Sequence, residues 1–149
     1  MKNITAKISA VIHAPPEKVW NALTSPDMIR QYLDGVKVIS QWETGSSITF
    51  RGKQNGVPYV EKGIILRAEP YTLFQYTSWN SLSGTEDLPE NYMPVIYQLY
   101  EENNVTTLTI ALENILNEEA KTKATHNWLT VLKNIKRLLE PNPVTVTVA

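Results

Sequence analysis

NEEAKTKATHNWLTVLKNIKRLLEP, residues Asn117 to Pro141, decides how the rest of the chain must be arranged. Asn117 supplies a side-chain oxygen at the position before a helix, and Glu118 and Glu119 fall in its first turn, where the positive end of the helix dipole favours them. Ala120, Ala124, Trp128, Val131, Ile135 and Leu138 recur at intervals of three and four, whereas Lys121, Lys123, Lys133 and Lys136 fall off that stripe. The pattern predicts an amphipathic helix of about six turns, ended by Pro141, whose ring and missing N–H stop the ladder. A face this broad and apolar needs a partner of matching size.

The partner is found upstream. Ile4, Ala6, Ile8, Ala10 and Ile12 alternate with Thr5, Lys7, Ser9 and Val11, the two-residue period of a strand with one buried face. Pro15-Pro16-Glu17 ends that strand and starts a short helix carrying Val19, Trp20 and Leu23. Ser25-Pro26-Asp27 starts a second, with Met28, Ile29, Tyr32 and Leu33 as its stripe. From Asp34-Gly35 onward the period is that of strands, predicted over Val36 to Trp42, Ser47 to Lys53, Pro58 to Ala68, Thr72 to Trp79, Pro94 to Glu101 and Val105 to Leu112. Asn55-Gly56 marks a tight hairpin, because both central residues of a type I′ turn need positive φ; Asn103-Asn104 and Glu69-Pro70-Tyr71 mark two more. Short hairpins make consecutive strands antiparallel neighbours. The expectation is an α+β domain over residues 1–149, with its core in 4–140 and a tail at 141–149: a curved antiparallel sheet of about seven strands, two short helices after the first strand, and the long C-terminal helix in the hollow.

Composition excludes several roles. With 149 residues the chain suits one domain, and a formal net charge of -1 gives no long-range attraction to phosphate backbones, so no nucleic-acid partner is expected. There is no cysteine, hence no disulfide and no thiolate metal site. No apolar run approaches the ~20 residues that cross a bilayer, and Met1-Lys2-Asn3-Ile4-Thr5 lacks the apolar core of a signal peptide, which reads as cytoplasmic. His13 and His126 are the two histidines; neither lies in a metal-binding or nucleophile motif, so no catalytic residue, metal or cofactor is assigned. Glu86, Asp87 and Glu90 belong to Asn80 to Tyr92, the longest loop and the candidate lid; acid/base work would need one of them turned into an apolar pocket.

The assembled landmarks resemble a known family. Pro16-Glu17-Lys18-Val19-Trp20-Asn21-Ala22-Leu23-Thr24, then Pro26-Asp27 and Tyr32-Leu33, are similar to the opening of proteins related to the C-terminal domain of the activator of heat-shock-protein-90 ATPase. Trp42-Glu43-Thr44-Gly45-Ser46, Pro89-Glu90-Asn91-Tyr92, Thr107-Leu108-Thr109-Ile110 and Trp128 with Leu132, Ile135 and Leu139-Glu140 extend the resemblance over most of the chain. That family belongs to the superfamily of START-like lipid-binding domains, polyketide cyclases and birch-pollen-allergen-like proteins. The resemblance implies the helix-grip fold, with an apolar cavity between sheet and helix. Relatives often carry glycine before the helix tryptophan; Asn127 stands there in this chain, directing a polar group toward the cavity. The co-chaperone that names the family has an N-terminal domain with no counterpart here, so the resemblance speaks for a small-molecule site more than for stimulation of a chaperone.

Together these readings select Trp42, Phe50, Tyr59, Trp79, Tyr92, Tyr97, Asn127 and Trp128 as candidate ligand-binding residues, since rings with polar tips give a mostly apolar pocket a few orienting hydrogen bonds. Val95, Tyr97 and Leu99 share one strand face, which points Tyr97 inward. The leading expectation is a binding module for a hydrophobic or amphipathic small molecule. The alternatives are a protein that contacts a chaperone ATPase and an enzyme of the cyclase or hydrolase kind. The β-prone tail Asn142 to Ala149 is either a frayed end or a strand that adds to a sheet edge, which would favour a homodimer.

Overall fold

The computed structural model describes residues 4–140. The tail, and Pro141 as the helix stop, lie outside the described residues. The chain forms β1 (Ile4–Ile12), α1 (Pro16–Thr24), α2 (Pro26–Tyr32), β2 (Lys37–Ser40), β3 (Ser47–Gln54), β4 (Val57–Glu69), β5 (Leu73–Asn80), a 3-10 turn at Pro89–Asn91, β6 (Met93–Glu102), β7 (Val105–Ile115) and α3 (Glu118–Leu139). The seven strands make one curved antiparallel sheet in the order β1-β7-β6-β5-β4-β3-β2. Five of the joins follow the chain; the sixth pairs β1 with β7, Ile8 opposite Ile110. Since β1 and β2 are the two edges, α1 and α2 must carry the chain from one edge to the other.

The helix starts follow local chemistry. Ser25 Oγ accepts the Met28 N–H at the head of α2, and Asn117 Oδ1 accepts the Ala120 N–H at 2.8 Å at the head of α3. Lys136 and Arg137 in the last turn of α3 complement the acidic first turn. The Asn55-Gly56 turn has φ of 52° and 81° and sets Gln54 opposite Val57; Asn103 and Asn104, at 55° and 64°, set Glu102 opposite Val105. At the third turn Tyr71 takes the positive φ, and the Thr72 N–H donates to Glu69 O.

Two strand limits differ from the sequence reading by more than one residue. The second strand stops at Ser40 instead of Trp42, because Trp42 adopts φ 61°, a conformation that costs a bulky residue energy. Its N–H is held by Ser40 Oγ at 3.0 Å and its ring lies against Phe74. The last strand runs on past Leu112 to Ile115, since Asn114 takes φ 58° and the register with β1 shifts there, absorbing one extra residue without breaking the ladder.

A single cluster of buried side chains ties the layers together, drawing Ile12 from β1, Val19 and Leu23 from α1, Ile29 from α2, Ile65 from β4, Phe74 from β5, Leu108 and Ile110 from β7, and Leu132 and Ile135 from α3. α3 leans mainly on β1, with further contact to β7, α1 and α2. It therefore covers one side of the concave face and leaves the other side open. Between β4 and β5 the backbones approach so closely that a Cβ on Gly63 would sit 1.6 Å from Thr77 O, so only glycine fits.

Candidate functional site

The uncovered part of the concave face is a cavity of about 570 Å³, within the usual range for small-molecule sites. Its floor is the sheet: Phe50 of β3, Tyr59 and Glu61 of β4, Tyr76 and Ser78 of β5, and Tyr97 of β6. Its roof is the first part of α3, through Ala120, Ala124, Asn127, Trp128 and Val131. Ile29 and Tyr32 of α2 close one end; Leu82, Thr85 and Asn91 of the long loop form part of the rim.

Strand periodicity explains the floor. Tyr59, Glu61, Gly63 and Ile65 share one face of β4, and Phe74, Tyr76, Ser78 and Asn80 share one face of β5, so each ring turned inward brings the residues two positions away with it. The aromatic rings form a continuous layer: Phe74 stacks on Tyr97 at 6.0 Å, Tyr76 lies 5.9 Å from Phe50 and 6.2 Å from Tyr97, and Trp128 meets Tyr97 edge-on at 5.9 Å. Gly52 gives the Tyr59 ring its place, since a Cβ there would come within 2.8 Å of the Tyr59 hydroxyl.

Burial pushes the Tyr32, Tyr76 and Tyr97 phenols well above the ordinary tyrosine value; for Tyr76 the Glu61 charge adds to it, and for Tyr97 the neighbouring Tyr76. Tyr59 is raised as well, first by burial and then by Glu61. All four remain neutral hydroxyls at physiological pH, able to give and take a hydrogen bond. Glu61 is held in place from β5: Ser78 Oγ donates to Glu61 Oε2 at 2.7 Å and Asn80 Nδ2 donates to Oε1 at 3.1 Å. The Asn80 amide is oriented by its other end, where Oδ1 accepts the Leu82 N–H at 2.8 Å.

Six of the eight sequence-selected residues line the cavity: Phe50, Tyr59, Trp79, Tyr97, Asn127 and Trp128. The other two, Trp42 and Tyr92, stand outside the lining. Trp42 lies against Phe74, with ring centroids 6.0 Å apart. Tyr92 stacks on Trp79 at 6.5 Å and donates its hydroxyl to Asp87 at 2.6 Å. Tyr32, Glu61, Tyr76, Ser78 and Asn80 were not selected. The β5 pair had a signal, since Tyr76 and Ser78 follow Phe74 at spacing two; a glutamate within a strand carries none, because it usually faces water.

The Asn80–Tyr92 loop is tied down at several points. Trp79 Nε1 donates to Thr85 O at 3.2 Å, Asn91 Nδ2 to Glu86 O at 2.9 Å, and Asn114 Nδ2 to both Glu90 O and Tyr92 O. Lys62 meets Asp87 at 2.7 Å and lies over the Trp79 ring. The hydrogen bond with Asp87 raises the Lys62 ammonium, and Lys62 followed by Tyr92 lowers the Asp87 carboxyl. Of the loop carboxylates, none is in the cavity wall; the carboxylate there is Glu61. The histidines are elsewhere too. His13 donates its backbone N–H to Glu140 Oε2 at 2.9 Å with its ring 3.0 Å from the same oxygen, and His126 is exposed on α3. Among the described residues no group of three or more His, Cys, Asp or Glu could hold a metal ion, and no helix is long and apolar enough to cross a membrane.

Solved structures share this arrangement. The solution structure of ChR145 from Cytophaga hutchinsonii superposes with a TM-score of 0.82 at 36% identity, covering 96% of this chain and 97% of that one. The crystal structure of CV1439 from Chromobacterium violaceum gives 0.76 at 22% identity over 93% and 98% of the two chains. CalU16 from Micromonospora echinospora gives 0.74 at 20% over 93% and 77%. The last two likenesses speak for the fold alone. Among curated proteins none matches. Residues 13–140 match the model of the Activator of Hsp90 ATPase homolog 1-like protein family, a span that takes in both short helices, six of the seven strands and all of α3. With that span and a relative of 36% identity over nearly its full length, the chain belongs to the Activator of Hsp90 ATPase homolog 1-like family.

Proposed function

We propose that the protein is a binding module for an amphipathic small molecule, held in the cavity between the sheet and the first half of α3. The observation that carries this reading is a volume of about 570 Å³ lined mostly by apolar and aromatic side chains, with four tyrosines and one interior carboxylate, Glu61, in its wall. Burying the apolar body of a ligand there gains about 25 cal/mol per Å² removed from water, and the polar tips choose its orientation. Trp79 and Trp128 both face the site, so occupancy reports itself in tryptophan fluorescence. Titration with a library of lipids and aromatic metabolites, followed by fluorescence and thermal melting, should give saturable changes and a rise in melting temperature with at least one class. Native mass spectrometry of freshly purified protein should show a co-purifying small molecule. A flat response across a broad library would end the proposal.

One observation favours a second reading, an enzyme of the cyclase or hydrolase kind: Glu61 supplies the interior carboxylate that acid/base chemistry requires, with Ser78 beside it. Recovery of the library compounds unchanged after incubation with the protein would rule that out. The chaperone-contacting alternative has the family kinship behind it and no feature of the cavity.

A further inference from the structure

The cavity wall contains two charged side chains among the described residues, Glu61 and Lys123. Lys123 is a rim group, with its side chain 76% exposed and its ammonium 3.9 Å from Glu119 on the same face of α3. Glu61 is different in kind. It lies mid-sheet, half-buried, paired through the backbone with Phe50 on one side and Asn80 on the other. Both its oxygens are oriented by neutral donors, Ser78 and Asn80, and it takes part in no ion pair among the described residues. Each carboxylate oxygen still has a lone pair to offer after those bonds.

A carboxylate placed among apolar groups without a counter-ion is costly unless a positive group arrives to meet it. The surrounding rings add a second, independent preference of the same sign. Phe50, Tyr76 and Tyr97 form a layer in this floor, and the negative face of an aromatic ring attracts cations when water is excluded. Ser78 and Asn80 donate to the carboxylate and leave its charge uncompensated, whereas an anionic ligand group would meet repulsion from Glu61 and find no interior cation.

We propose that Glu61 is the anchoring site for a cationic nitrogen, so that the ligand class is an amphipathic amine with an aromatic or alicyclic body. This rests on the binding-module reading above and adds the sign of the ligand's polar end. Calorimetric titration of naphthylethylamine, naphthylethanol and naphthylacetate, which share one apolar body, separates the two. Wild-type protein should bind the amine about tenfold more tightly than the alcohol, as one charge-assisted hydrogen bond allows, and the carboxylate most weakly. Glu61→Gln should abolish the amine's advantage, so that amine and alcohol bind that variant about equally. If the alcohol binds and the amine binds no better to wild-type protein, the charge assignment is overturned and the binding module stands; that comparison needs no variant to fold. An amine preference that survives in Glu61→Gln overturns it too. If none of the three binds, the assigned ligand class is overturned; a flat response across the wider library would end the binding module as well.

Discussion

The two halves of α3 carry the same three- and four-residue stripe and serve different purposes. In the second half Leu132 and Ile135 are 2% and 0% exposed, and Asn134 reaches across to donate to Tyr32 O at 3.2 Å. In the first half Ala120, Ala124 and Trp128 are only half-buried, because what they face is the cavity. The difference lies in side-chain size and in the opposing layer. Large aliphatic groups meet β1 and the short helices and fill the space; two alanines opposite the aromatic floor leave it unfilled. Hydrophobic periodicity reports which face of a helix is turned inward, and it does not report whether the interior there is solid.

The largest effect should come from cutting into the solid half. Ile135→Ala removes a fully buried side chain and should cost about 3 kcal/mol of unfolding free energy, readable by urea denaturation, while ligand affinity in the surviving folded protein stays within a few-fold. An equal loss of binding would mean the two halves are not separate. The converse change, Ala124→Phe, should fill the cavity from its roof. Stability should move by less than about 1 kcal/mol in either direction, since the ring enters existing space, but affinity for naphthylethanol should fall by about tenfold or more by calorimetry. Unaltered binding would place the ligand elsewhere.

Next in size is the end of the solid half, where Glu140 closes α3 onto β1. Burial acts to raise its carboxyl, but hydrogen bonds from Lys136 and from the backbone and ring of His13 outweigh it and bring the value down from 4.5 to about 2. A carboxyl lowered on folding adds stability that is fully present above its unfolded value and is lost as pH falls from 4.5 through 2. Discounted for exposure, the contribution is about 1 kcal/mol. Glu140→Gln should therefore melt a few degrees below wild type at pH 7, with the gap narrowing as acid is added toward pH 2. A gap independent of pH would assign the effect to packing. The smallest effect is expected at the loop: Asp87→Asn weakens the Lys62 and Tyr92 contacts, and should shift melting by no more than a degree or two while altering the rate of ligand entry measured by stopped-flow fluorescence.

Most of the fold was legible because it is written in local chemistry. Asn55-Gly56 dictates one hairpin by itself, and Pro16 and Ser25-Pro26 place two helix starts that the structure reproduces. The inward direction of Tyr97 followed from the period of β6. What escaped depends on contacts between strands far apart in the chain. Trp42 left the cavity lining because its backbone turns to positive φ at the end of β2, which no alternation rule anticipates. Glu61 faces inward by parity with Tyr59 and Ile65, yet a glutamate in a strand is ordinarily solvent-facing, and the reason it can be otherwise here is Ser78 and Asn80 arriving from β5. The bulge between Ile65 and Arg67 shifts the parity of the rest of β4, and only the paired register reveals it.

The separation of α3 into a solid half and a hollow half can be tested at single-residue resolution by following backbone amide NMR signals during titration with naphthylethanol. Perturbations should gather at Ala124, Asn127 and Trp128 on the helix and at Tyr76 and Ser78 on β5, with Leu132, Ile135 and the β1 strand essentially unmoved. Shifts concentrated on β1 and the second half of α3, or on the convex face of the sheet, would contradict it.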